Sequence, residues 1–333
     1  MSATQLRRPL DDSDSDGEPS AQVPQKRAKT APATDMLGLF ASLGLPITTA
    51  LTKSYTHFSA HTPDTTGYVL GVDEAGRGPV LGPMVYATCF CPESFYPTLS
   101  SLGFADSKQL SEEQRDKLFA ELQLHPQAGW SIRCLSPQDI SQSMLRRSKY
   151  NLNSMAHDAT IHLIRETLER GIQLRKVFID TVGPPLTYQK RLQELFPGVE
   201  ITVAKKADSL YPIVSAASVC AKVTRDAHLS NWVFAEGPQS TNYGSGYPGD
   251  PSTVRWLKES VDHVFGYPGI IRFSWSTCVK LLEDSAAKVV WPDDEGQSNA
   301  KLLTSRLFNT KEPTGQRSKF FARRRPITLA TSL

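Results

Sequence analysis

Residues 67–83 read Gly67-Tyr68-Val69-Leu70-Gly71-Val72-Asp73-Glu74-Ala75-Gly76-Arg77-Gly78-Pro79-Val80-Leu81-Gly82-Pro83. The stretch opens as a short apolar run, partly β-branched and bounded by glycines, which predicts a strand buried on both faces. The run stops at two adjacent carboxylates, Asp73 and Glu74, and passes into Gly76-Arg77-Gly78. Buried carboxylates lose hydration and repel each other, so they must be paired, protonated or bound to a cation. Alternation sends neighbours on a strand to opposite faces, and solvent exposure is the ordinary fate of an acid. The glycine–arginine loop shifts that balance, because free N–H groups and a guanidinium suit a phosphate. Acids for a metal beside donors for a phosphate point to metal-assisted phosphodiester chemistry.

The pattern recurs downstream. Lys176-Val177-Phe178-Ile179 is a short apolar run ending at Asp180, and the run from Val199 to Ala207 ends at Asp208 beside Lys205 and Lys206. Helices are expected at about 153–170, stopped by Gly171, and at about 187–195. In the first of these, Met155, Ala159, Leu163 and Leu168 face the core. Strand–helix–strand alternation implies parallel pairing, and parallel strands gather their carboxyl ends on one edge. Asp73, Glu74, Asp180 and Asp208 are therefore candidates to converge, although Asp208 before Ser209 also reads as a helix cap. Four oxygen-bearing side chains suit Mg²⁺ or Mn²⁺ rather than zinc.

Met84–Phe90 follows the glycine loop as an antiparallel return, and Trp130–Leu135 supplies another strand. Ser111 before Glu112 and Glu113 starts a helix at about 112–122, and Met36–Leu51 contains a short one. The fold class expected is α/β: a mixed five-stranded sheet flanked by helices, with a helical C-terminal extension. That extension carries helices at about 252–264 and 274–288.

At 333 residues the chain can bury a sizeable core, and 39% hydrophobic with 21% charged residues is ordinary for a globular protein. No apolar run approaches the roughly 18 residues of a membrane span, so no membrane partner is expected. A net charge of +3 does not by itself imply nucleic acid. The five cysteines, Cys89, Cys91, Cys134, Cys220 and Cys278, form no CxxC and lie in apolar surroundings, as reduced core residues of an intracellular protein do. Gly-Arg-Gly-Pro lacks the Gly-Lys-Ser/Thr of a nucleotide-binding loop.

The segment Gly71-Val72-Asp73-Glu74-Ala75-Gly76-Arg77-Gly78-Pro79 resembles the first motif of the type 2 ribonucleases H, in their eukaryotic branch, and the resemblance extends from about Gly67 to Trp291. It implies a ribonuclease H-like fold and an endoribonuclease that cuts the RNA strand of RNA–DNA hybrids. It also implies incision on the 5′ side of single ribonucleotides in duplex DNA, giving 3′-hydroxyl and 5′-phosphate ends through two divalent ions per site. Asp73, Glu74, Asp180 and Asp208 match the family's catalytic acids and metal ligands. Gly76, Arg77 and Gly78 match its ribose-reading loop. Tyr247, in the glycine-rich loop 242–250, matches the tyrosine that packs on the ribose. Lys108, Asn151 and Lys222 match substrate-contact segments, as does Asn153; a solvated loop lysine is the other reading of Lys108, and capping of the helix explains one of the two asparagines without function. Arg225 and Asp226 recur in the family and also read as a structural pair, and Arg272-Phe273-Ser274-Trp275 matches it too.

The expected organisation is a disordered tail over 1–35, a catalytic domain over 36–250, a helical extension over 251–291 and a polar, basic tail over 292–333. Arg7-Arg8 and Lys26-Arg27-Ala28-Lys29 resemble a bipartite nuclear signal, so a nuclear location is expected. The resemblance implies two accessory subunits of a heterotrimer, with C-terminal segments such as residues 292–333 in the contacts between them.

Overall fold

The computed structural model describes residues 35–104, 110–148, 150–181 and 183–288. The terminal tails, with their basic clusters, and Lys108 lie outside these residues. The chain divides into two compact units. The first comprises residues up to Gly78 and Gly82–Val233, and the second comprises Pro79–Leu81 and the residues from Phe234 onward.

The first unit carries, in order, α1 (Met36–Ser42), β1 (Tyr55–Phe58), β2 (Tyr68–Ala75), β3 (Met84–Pro92), α2 (Tyr96–Ser101), α3 (Glu112–Leu122), β4 (Gly129–Leu135), α4 (Pro137–Leu145), α5 (Leu152–Glu169), β5 (Leu174–Asp180), α6 (Pro185–Leu195), β6 (Glu200–Ala204), α7 (Ala207–Leu210) and α8 (Pro212–Ser230). Its single mixed sheet has the order β1-β4-β3-β2-β5-β6. Neighbours from β1 to β2 pair antiparallel, and β2, β5 and β6 pair parallel. The sheet thus has six strands rather than five. The added member, β1, is four half-buried residues with no alternation in burial, so it carries no periodic signal of its own. Pairing with β4 defines it, Tyr55 lying opposite Cys134.

β2 is buried along nearly its whole length because both faces are covered. On one face, Val69 joins Val85, Ala87 and Cys89 in a cluster with α8 and α3. On the other, Tyr68, Leu70 and Val72 join Ile164, Val177, Ile179 and Leu192 under α5 and α6. Burial of this kind supplies the main driving force for folding. α8 approaches β2 so closely that a Cβ on Gly71 would stand 2.4 Å from the Ile213 backbone. The small residues of α8, Ala216, Ala217, Ser218 and Ala221, permit that approach and are all buried. Met155, Ala159 and Leu163 of α5 are buried as the periodicity predicts, and Leu168 packs at the margin. All five cysteines are free and buried.

The second unit carries α9 (Pro251–Glu259) and α10 (Ser276–Ser285). α9 ends earlier than its pattern suggests, because Asp262 accepts the N–H groups of Val264 and Phe265 at 2.8 and 2.7 Å in a tight turn. Pro79–Leu81 is built into this unit: Val80 donates to Gly246 at 2.8 Å and accepts from Arg272 at 2.9 Å, and Leu81 bridges to Ile271. No described helix is long and apolar enough to cross a membrane.

Candidate active site

β2 delivers Asp73 and Glu74 to the edge of the sheet, and alternation separates them. Asp73 lies on the Val69 face, under α8, and is only 5% exposed. Its carboxylate accepts the Glu74 N–H at 2.7 Å and is bonded by the Ser218 hydroxyl of α8. Burial, then the charge of Glu74 and, more weakly, that of Asp180, push its pKa well above the usual carboxylate range, against those two hydrogen bonds. A carboxyl in that state favours a proton or a cation.

Asp180 comes alongside through strand register. Val72 pairs with Ile179 in the parallel β2–β5 ladder, so Asp73 and Asp180 are the next residues on neighbouring strands. Adjacent strands lie about 4.8 Å apart. The Asp180 carboxylate also accepts the Ala207 N–H at 2.8 Å, which ties the start of α7 to the end of β5.

Asp208 is placed differently from the sequence expectation. β6 ends at Ala204, and Asp208 lies four residues on, buried in the first turn of α7. The reversal occurs at Lys206, at φ 57°, the only described non-glycine residue with positive φ. Three of the acids thus follow the ends of three parallel-paired strands, and Glu74 faces the opposite layer.

That opposite layer holds a cleft of about 320 Å³ lined by Glu74, Arg77, Tyr86, Asn153, His157, Asp180, Thr187, Tyr188 and Arg191, among others. Tyr86 lies directly across the β2–β3 ladder from Glu74, so the two share a face. Burial, with the Glu74 charge, raises the Tyr86 phenol well above its usual range. The Arg77 guanidinium donates to the Asn153 side-chain oxygen and is hydrogen-bonded to Tyr86. The glycine loop is therefore clamped to α5 and β3 by its own arginine. Gly76 adopts φ +81°, and a Cβ there would meet Arg225 Nε at 2.4 Å and the Pro83 oxygen at 2.6 Å. Arg225 pairs with Asp226 at 3.4 Å, and Asp226 with Arg115 at 3.3 Å, so the loop rests on a charged network.

Asn151 caps α5, its oxygen accepting the Ser154 N–H at 2.9 Å. Lys222, half-buried, follows Ser218 by one turn of α8, on the face turned to Asp73. Tyr247, in the second unit, is 52% exposed. Its loop is held by Asp250, which accepts the Ser245 N–H at 2.7 Å and the Ser252 N–H at 2.9 Å. These bonds push Asp250 down to about 2.

Tyr86, His157, Tyr188, Arg191 and Ser218 were not singled out by sequence. The spacing of Asn153, His157 and Thr160 on α5, and of Ser218, Lys222 and Arg225 on α8, is i, i+4, i+7. That periodicity marks one helix face and was available as a signal. Tyr86 had none, since only strand register sets it against Glu74. Among the described residues no three His, Cys, Asp or Glu side chains are grouped tightly enough to enclose a metal. A small hard cation does not need such a cage, because Mg²⁺ is held by one or two carboxylates with waters and phosphate oxygens.

A sequence model described as ribonuclease HII matches residues 70–278. A human ribonuclease H2 subunit is 52% identical over 271 residues, covering 80% of this chain and 90% of that protein. Its Caenorhabditis elegans counterpart, also named as a ribonuclease H2 subunit, is 43% identical over 300 residues, covering 87% of this chain and 100% of that protein. Among solved structures, ribonuclease H2 from Pyrococcus horikoshii OT3 superposes with a TM-score of 0.55 at 32% identity, covering 65% of this chain and 98% of that one. Ribonuclease HII from Archaeoglobus fulgidus, solved in a complex with PCNA, gives 0.53 at 28% identity, covering 68% of this chain and 99% of that one. The α/β sheet, the acids at its edge and the extent of these matches lead to one conclusion: the chain belongs to the ribonuclease HII family, hydrolases acting on RNA in RNA–DNA hybrids.

Proposed function

We propose that the chain is the catalytic component of a nuclear, multi-subunit ribonuclease that cuts the RNA strand of hybrids and incises 5′ of single ribonucleotides in duplex DNA, in replication and repair. The observation that carries the reading is the juxtaposition of Asp73 and Asp180, each the next residue after the paired Val72 and Ile179. Two acids stand on neighbouring strand ends, one buried and pushed well above its usual range by its surroundings. Such a site gains most from a bound cation, and its donors are all hard oxygens.

Asp73, Glu74, Asp180 and Asp208 would hold the divalent ions, two Mg²⁺ or Mn²⁺ per site. Bound there, such ions would supply an acidified water for attack and charge stabilisation for the leaving 3′-oxygen, in keeping with 3′-hydroxyl and 5′-phosphate products. Ser218 and the Glu74 N–H hold the Asp73 carboxylate in one orientation. Asp180 fixes the start of α7 and with it Asp208. The Gly76-Arg77-Gly78 backbone, held by the Arg77 clamp, reads the 2′-hydroxyl, the group that separates RNA from DNA. By the family resemblance Tyr247 would pack on a ribose of the substrate, and Lys222 would face the phosphodiester backbone. Lys108 has the same proposed role. Asn151 is assigned to the helix cap, and Asn153 takes its place beside the loop.

The relatives are named as subunits of ribonuclease H2, which supports a complex with accessory subunits, two by the eukaryotic pattern. The test is incubation of the purified chain, with and without those subunits, with Mg²⁺ and a duplex holding one ribonucleotide. Cleavage on the 5′ side of the ribonucleotide is expected. Cleavage of long hybrids alone would leave the acids in place and overturn the reading of Gly76–Gly78 and Tyr247.

A further inference from the structure

We propose that Arg191 and His157 form a second anion subsite, which holds a backbone phosphate of the nucleic acid near the scissile one. The inference rests on the reading that the cleft takes a hybrid. Its starting point is the cleft itself, which runs from Glu74 and Asp180 at the sheet edge to Arg191 on α6. Thr187 and Arg191 are four residues apart and share a face of α6, as Asn153 and His157 share a face of α5. A face whose only task was packing would be apolar. Here both helix faces present donors to an open cleft beside the acids.

The geometry then orients one cation. The His157 ring lies flat on Tyr188, with centroids 3.9 Å apart and planes 14° from parallel. That stack fixes the imidazole so that its Nδ1 lies 3.5 Å from Arg191 Nη1. Burial and the positive charge of Arg191, with a smaller part from Arg77, hold His157 below its ordinary range against the pull of Asp158, so it accepts from the guanidinium as a neutral ring. A neutral acceptor orients Arg191 without cancelling its charge. The acid nearest Arg191, Asp158, stands 3.9 Å away with both side chains about half exposed (52% and 53%), a weak pairing that a phosphate can replace. Asp158 is itself engaged by the Tyr150 hydroxyl.

The experiment measures binding of the full chain, with its accessory subunits, to a hybrid, using Ca²⁺ in place of Mg²⁺ to hold back cleavage. The proteins are the wild type, Arg191→Gln and Arg191→Lys. The hybrids are the plain duplex and a set in which single RNA-strand phosphates are replaced by neutral methylphosphonates. Arg191→Gln is expected to weaken binding roughly tenfold and to lower the slope of log affinity against log salt by about one, the signature of one lost phosphate contact, with Arg191→Lys keeping the slope. In the wild type one methylphosphonate position should weaken binding to a similar degree, and that position should cost Arg191→Gln nothing more. An unchanged salt slope, or effects that add at every position, would overturn the subsite and leave the function standing. A wild type that neither binds nor cuts hybrids would overturn both.

Discussion

Two residues decide whether the sheet edge works, for opposite physical reasons. At Gly76 the backbone is left-handed, and the space a Cβ would occupy is filled by Arg225 and the Pro83 carbonyl. Gly76→Ala therefore meets conformational strain and a clash with backbone together. A loss of about 1–3 kcal/mol in stability is expected. A larger effect is expected on catalysis, because displacing a positioning loop by about 1 Å can cost about a hundredfold in rate. Urea unfolding and steady-state cleavage check this, and an alanine variant with wild-type stability and rate would contradict it. Asp73 is costly for its charge rather than its shape. Asp73→Asn keeps an oxygen for Ser218 and the Glu74 N–H while removing a buried carboxylate that Glu74 and Asp180 repel. The asparagine variant should melt no lower than wild type in metal-free buffer at neutral pH. Its cleavage of hybrid should fall by about a thousandfold or more, the equivalent of roughly 4 kcal/mol of lost metal-dependent stabilisation. Cleavage at the wild-type rate would remove Asp73 from the site.

At the scale of elements, α5 separates two asparagines that sequence alone left equivalent. Asn151 caps the helix, and Asn153 holds the arginine of the glycine loop. Asn151→Ala should cost about 1 kcal/mol of stability, with kcat/KM little changed. Asn153→Ala should leave the melting temperature within about a degree, since exposed surface changes are worth little, and should lower kcat/KM through a freed Arg77. Thermal melts and cleavage kinetics of the pair decide it, and the reverse pattern would reassign both residues. The same contrast marks how far sequence reached. β2, β3 and β5 were legible as short apolar runs and α5 as a periodic apolar face, so local pattern and tertiary demand agree. β1 was not, because four half-buried residues become a strand only through pairing with β4. α4 stands outside the sequence expectations, although Ser136 accepts the Asp139 N–H at 3.1 Å with Pro137 in the first turn. Ser-Pro-Gln-Asp was a readable helix start. The acids were legible as strand ends, but the placement of Asp208 in α7 depends on a left-handed lysine that no periodicity announces. The rest of the cleft wall was illegible for a further reason: Tyr86 of β3 and Tyr188 and Arg191 of α6 join the α5 face only through register and packing.

Across the whole molecule, acid stability is set by groups that pull in opposite directions. Burial lowers the pKa values of His57, His61, His157 and His228, and raises that of Asp73. His228 is the most sensitive of the histidines. It is buried in α8, its ring nitrogen lies 2.8 Å from the Tyr55 hydroxyl of β1, and burial pushes it down to about 4. Its neutral form is the folded form, so its contribution is fully present above the unfolded value of about 6.5. The contribution is lost as pH falls from there to about 4, and amounts to about 3 kcal/mol over that window. Asp73 acts in the other sense, since its raised pKa favours the folded state at low pH and costs stability as pH rises through it. The net curve therefore cannot be assigned to either group, but a difference between two proteins can. His228→Gln removes the titration and keeps a polar group for Tyr55, at some constant cost in packing. Denaturant unfolding of both proteins at intervals from pH 7.5 to 4 should give a wild type that loses stability relative to the variant as the pH falls, with the gap closing by about 3 kcal/mol. Parallel curves over that range would mean that His228 takes its proton in the folded state without opening the contact between the edge strand and α8, and the buried neutral imidazole would have to be abandoned.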